Sequence, residues 1–149
     1  MRDRVFAWLG RIKNVEREHT ATRLATDHLQ DSIQAGSKVL GRGLKRMDVS
    51  RASDNLEVTY VIRLFVEFEV ALKHFLRSKK LKIPRRAEHL INRVAARAAI
   101  AGLGLTNAHR VRIYRNHLVH RLEDEGEALS IRTATSFLCT FLDRLQTVR

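Results

Sequence analysis

One proline, Pro84, stands in the whole chain, glycines are few, and apolar residues recur at spacings of three and four rather than two. A chain patterned in this way buries its apolar side chains as helices, and no stretch alternates as a strand would. An all-α protein is therefore expected. A first helix runs from about Arg2 to Glu18 with Val5, Leu9 and Ile12 on one side. A second carries Ala25, Leu29 and Ile33 and loosens at Gly36, Gly41 and Gly43. A polar break from Asp48 to Asn55 offers Ser53 and Asp54 as N-caps for a long helix. Pro84 opens a further helix to about Ala101, and Gly102 and Gly104 stop it. Thr106 or Asn107 caps the next helix, and Ser130 caps a last one bearing Ala134, Leu138, Phe141 and Leu145.

The 149 residues fit one domain, and no Pro- or Ser-rich tract marks a linker. No apolar run approaches the roughly 20 residues of a membrane span. Gly10 and Arg11 cut Val5-Phe6-Ala7-Trp8-Leu9 short of a signal-peptide core. A soluble, cytoplasmic protein is expected. Cys139 is the one cysteine, which excludes an internal disulfide or a thiolate cluster and reads as a small buried apolar residue. Phe6, Trp8 and Leu9 make the first helix able to dock on the bundle, to meet a partner or to rest on a membrane surface. Docking fits best, because the helix is short and further helical pattern succeeds it.

The formal net charge of +12 favours polyanion partners such as nucleic acid or an acidic protein. The excess is clustered. Lys79, Lys80, Lys82, Arg85 and Arg86 fall close together, and Glu88 is the one acid between Arg77 and Arg110. On the helix after Pro84, Leu90, Val94, Ala98 and Ala101 form the buried side, while Arg86, Arg93 and Arg97 line a neighbouring face. Such a row either follows a phosphate backbone or is a solvated surface.

At about 100° per residue, Val58, Val61, Phe65, Phe68, Leu72 and Leu76 form the core stripe of the long helix. Glu69 falls inside that stripe, whereas Glu67 points away with Arg63 and His74. A core-facing carboxylate requires a cation or water. The later helix aligns Val111, Tyr114, Leu118 and Leu122, with Arg115 among them. Glu69 and Arg115 are thus aimed at the same interior, either as an ion pair that fixes helix register or as the lining of a cleft that water enters.

Arg115-Asn116-His117-Leu118-Val119-His120 puts a permanent cation, an amide and two groups that exchange protons near neutral pH into one short run. That set suits chemistry on phosphates. The neighbouring 2′-hydroxyl of RNA can attack the phosphodiester, so a protein need only move protons and stabilise the phosphorane. His120 can serve as general acid or base, and Arg115 can hold non-bridging oxygens. Asn116 can orient the phosphate or the imidazole, and Glu69 can position Arg115. His117 lines the cleft or stands exposed. His117 and His120 are spaced as helical metal ligands, but no third ligand of suitable type lies near, with Asp124 and Glu125 in an acidic loop, so neither metal nor cofactor is expected. Residues five apart on a regular helix diverge by about 140°. Arg115 and His120 can therefore share a site if the helix ends inside the motif or if two chains assemble it, and both favour a dimer.

The Arg-Asn-x-x-x-His run on the penultimate helix, with Glu69 facing inward from an earlier one, resembles the HEPN superfamily. These small helical proteins carry an Arg, then usually Asn, Asp or His, then a His four to six residues after the Arg. The segment Leu64-Phe65-Val66-Glu67-Phe68-Glu69-Val70-Ala71-Leu72 looks like the helix that opens their core. The likeness spans Asn55 to Leu145; it divides the chain into an N-terminal helical extension, residues 1–50, and a core bundle, residues 53–148. It implies a four- to five-helix up-and-down bundle with an extra N-terminal helix, a homodimer with the motifs at a shared cleft, and metal-independent RNA cleavage to 2′,3′-cyclic phosphate and 5′-hydroxyl ends. Arg115, His120, Asn116 and Glu69 would be the catalytic set, with Arg86, Arg93, Arg97 and His117 binding RNA. The setting it implies is a toxin–antitoxin or phage-defence system with an antitoxin or regulatory partner. Some members have lost catalysis and bind nucleotides, RNA or proteins instead. Where members paired with nucleotidyltransferase antitoxins commonly carry a modifiable tyrosine, this chain has Leu122.

Overall fold

The computed structural model describes residues 2–41, 43–120 and 127–147. Five α-helices, α1 (Arg2–Gln34), α2 (Arg46–Ser78), α3 (Ala87–Arg97), α4 (Leu103–His120) and α5 (Ile131–Asp143), are followed by a 3-10 turn, Arg144–Thr147. No strand occurs among the described residues, and the architecture is an all-α bundle. None of its helices is long and apolar enough to cross a membrane.

The two N-terminal helices expected from the sequence are one. Nothing between Glu18 and Ala25 breaks a helix, and the threonines there turn their hydroxyls back onto the preceding turn: Thr20 donates to the Glu16 carbonyl, Thr22 to that of Glu18 and Thr26 to that of Thr22. α1 ends where Gly36 takes φ +84 and Ser37 N–H reaches the Ser32 carbonyl, the left-handed stop that glycine favours. The polar break at Asp48–Asn55 is also helical. α2 starts at Arg46, with the Asp48 carboxylate accepting from Lys45 N–H at 2.8 Å. Ser53 is a buried residue inside this helix rather than its cap.

One apolar core joins all five helices. α2 supplies Val61, Phe65, Phe68, Leu72 and Leu76 as its stripe predicted, together with Leu64 and Phe75; Val58 is half-buried. Val5, Trp8, Ile12 and Val15 of α1 belong to the same core, so residue 50 is no structural boundary. α1 runs antiparallel to α2, as successive pairs along their seam require: Thr22 to Tyr60, Glu18 to Arg63, Arg11 to Glu67. Ala99, at φ +52, ends the helix after Pro84 sooner than expected. Ile91 and Ala95 bury beside Leu90 and Val94, whereas Ala101 is exposed beyond the helix. α4 then starts at Leu103, one turn before Thr106 and Asn107, with Gly102 at φ +58 forming the turn.

Ser130 caps α5 as predicted, its Oγ accepting from Thr133 N–H at 3.1 Å. A second acceptor comes from α2: Glu57 Oε1 takes the Ile131 N–H at 2.6 Å. The other Glu57 oxygen lies 3.0 Å from Nε2 of buried His19, without the alignment of a hydrogen bond. Glu57 thereby ties three helices together at one point.

Candidate functional site

α4 continues without a break from Leu103 to His120, so the whole Arg115–His120 run is helical. Val111 is fully buried, and Tyr114 and Leu118 pack half-buried on the core; Leu122 lies outside the described residues. Arg115 sits among them. Its guanidinium carbon stands 5.5 Å from the centre of the Phe65 ring, in range of a cation–π contact. Nη1 donates to Asn116 Oδ1 at 2.9 Å, and Nε is buried with no partner among the described residues.

The inward carboxylate does not neutralise this arginine. Glu69 is half-buried, one helical turn beyond Phe65 on α2, yet among the described residues it makes no ion pair with Arg115. The register-fixing pair is thus not formed. Glu67, read as a surface carboxylate, faces Arg11 across the α1–α2 seam at 4.0 Å.

His120 is exposed at the last residue of α4, and His117 is half-buried with Nδ1 unpartnered among the described residues. Because the helix does not end inside the motif, Arg115 and His120 diverge by about 140° and do not converge within one chain. No group of three or more His, Cys, Asp or Glu gathers among the described residues as a metal site would require; Asp124 and Glu125 lie outside them.

Arg86, Arg93 and Arg97 are exposed around α3, which meets α4 through a network that sequence reasoning missed. His109 Nε2 lies 2.8 Å from Asn92 Oδ1, and its Nδ1 accepts from Arg112 Nε at 3.2 Å. With one nitrogen donating and the other accepting, the ring is held neutral. Burial, aided by Arg112, pushes its pKa below the usual histidine value against an opposing pull from Glu88. On the opposite flank of α4, Arg110 pairs with Glu127 and lies 5.0 Å from the centre of the Phe137 ring. Burial and the charge of Glu57 raise the Tyr114 phenol above its ordinary range. Cys139 is half-buried against the core, and burial raises its thiol pKa.

Comparison of the chain with protein-family models, with curated proteins and with solved structures finds no match in any of the three.

Proposed function

We propose that this chain is a metal-independent endoribonuclease of the HEPN type, acting as a homodimer whose cleft joins Arg115 and Asn116 of one subunit with His120 of the other. The observation that carries this reading is a half-buried arginine whose guanidinium lies over the Phe65 ring, bonded to Asn116 and with no carboxylate partner among the described residues. A cation placed so has donors left for an anion, and its planar fork matches phosphate oxygens. Asn116, already bonded to Arg115, fixes the fork. The exposed imidazole of His120 is free to shuttle the protons of 2′-hydroxyl attack. Arg86, Arg93 and Arg97 supply non-specific hold on the RNA backbone, and Glu69 shapes the electrostatics of the neighbouring turn. A toxin–antitoxin or phage-defence system, with an antitoxin or regulatory partner, is the setting this activity fits.

The test is a digest of total RNA with the purified protein in EDTA, coupled to analysis of product ends. Cleavage leaving 2′,3′-cyclic phosphate and 5′-hydroxyl termini, lost in folded Arg115→Ala and His120→Ala variants, is the expected result. Equal cleavage by those variants would sink the reading.

The unbroken α4 favours a second one. With Arg115 and His120 on different flanks of one helix, the same residues suit a non-catalytic module that binds RNA, a nucleotide or a protein. RNA retained but never cut, with binding weakened by Arg115→Ala, would select it.

A further inference from the structure

The α1–α2 seam is laced by opposite charges. Arg63 pairs with Glu18, and Arg11 faces Glu67. About two turns further along, the pairing stops. Arg4 on α1 is met by His74 on α2, and neither forms a hydrogen bond or ion pair among the described residues. There the seam opens into a cavity of about 380 Å³ lined by Arg4, Ala7, Trp8, Arg11, Val70 and His74.

The lining is divided by chemistry. Positions 4, 7, 8 and 11 of α1 and 70 and 74 of α2 each fall on one helical stripe. Ala7, Trp8 and Val70 give apolar walls, with Trp8 anchored in the core at 7% exposure. Arg4, Arg11 and His74 set nitrogen donors around the mouth. Glu67 stands at the limit of contact with Arg11, whose side chain is 63% exposed and so free to turn toward another anion. Asp3, next to Arg4, does not line the cavity.

We infer that this cavity binds a nucleoside monophosphate, either free or as the 5′ end of an RNA chain. The phosphate lies between the Arg4 and Arg11 guanidiniums and the His74 imidazole, and the base lies against Ala7, Trp8 and Val70. Paired guanidiniums recognise phosphate with directed, charge-assisted hydrogen bonds, and the volume falls within the range of small-molecule sites. The site occupies a different seam from α4, so it stands whether or not the motif cleaves RNA.

Trp8 is the one tryptophan of the chain, so its emission reports on this cavity. The full chain is titrated with AMP, adenosine and inorganic phosphate, by Trp8 fluorescence and in parallel by calorimetry. AMP is expected to bind saturably below about 1 mM and adenosine at least about tenfold more weakly. The Arg4→Ala/Arg11→Ala double variant alters exposed side chains; checked first for the parent thermal midpoint, it is expected to weaken AMP binding by at least about tenfold. His74→Ala lowers it further. A 5′-phosphorylated oligonucleotide that competes with AMP, where its 5′-hydroxyl counterpart does not, assigns the ligand to RNA ends; failure to compete assigns it to free nucleotide. No heat and no saturable emission change with AMP, or equal binding by the double variant, would overturn the inference.

Discussion

Arg115 and His120 leave different flanks of one continuous helix, the first with its guanidinium over the Phe65 ring and the second open to solvent at the helix end. On the proposed reading, a phosphodiester that needs both groups draws them from two chains. The consequence is measurable by complementation. When Arg115→Ala and His120→Ala subunits are co-expressed, each mixed dimer holds one cleft with both residues intact. Two individually inactive variants should together recover about a quarter of parental RNA cleavage, since random pairing makes half the dimers mixed and each keeps one of two clefts. A site built within a single chain would recover nothing.

The exposed row on α3 has a different role in the proposal, and its effect should separate from catalysis by salt. Arg86, Arg93 and Arg97 point to solvent, so replacing all three by alanine leaves the Leu90, Ile91 and Val94 face untouched. If each holds one phosphate of single-stranded RNA, the slope of log affinity against log salt should fall by about 2. Filter binding across a salt series measures it. An unchanged slope would make the row a solvated surface.

Periodicity read the helical class and most of the α2 stripe because Phe65, Phe68, Leu72 and Leu76 obey one spacing that only a helix can satisfy. The Ser130 cap was legible for a similar reason: its hydrogen bond is local, to Thr133. Continuity across residues 19 to 24 was not legible, because polar, β-branched residues look like a break unless one knows that their hydroxyls bond backward along the helix. The motif string can be read directly, but the shared interior of Glu69 and Arg115 comes from two separate helical wheels, which leave an ion pair and a wetted cleft equally open. Sharing an interior does not set the distance between two charges. The cavity at Arg4, Arg11 and His74 depends on the antiparallel register of α1 on α2, which no local pattern encodes.

Glu57 offers a test of that tertiary layer. Its carboxylate accepts the first amide of α5 and faces buried His19, so Glu57→Ala leaves a donor at a helix N-terminus without its partner and removes the charge beside the imidazole. Unfolding in urea should be easier by about 1–3 kcal/mol. Glu57→Gln keeps an oxygen for Ile131 N–H and should restore part of the loss. Equal stability of the alanine variant and the parent would mean that water replaces the carboxylate at no cost.

His109 gives the fold a pH-dependent contribution, and its direction is set first by burial of the ring and then by the neighbouring Arg112. The neutral ring donates from Nε2 to Asn92 and accepts at Nδ1 from Arg112; a second proton on Nδ1 would face the Arg112 N–H donor and lose that bond. Burial and the Arg112 charge thus hold the folded pKa below the unfolded value of about 6.5. Between the two values the unfolded chain binds more protons than the folded one, so stability rises with pH through this window. The contribution is fully present above the unfolded pKa and is lost as pH falls through the folded one. Thermal midpoints should decline from about pH 7.5 to about pH 5.5, and His109→Gln, whose amide does not titrate, should flatten part of that decline. An identical decline in the variant would show that the α3–α4 contact does not depend on the charge state of this ring.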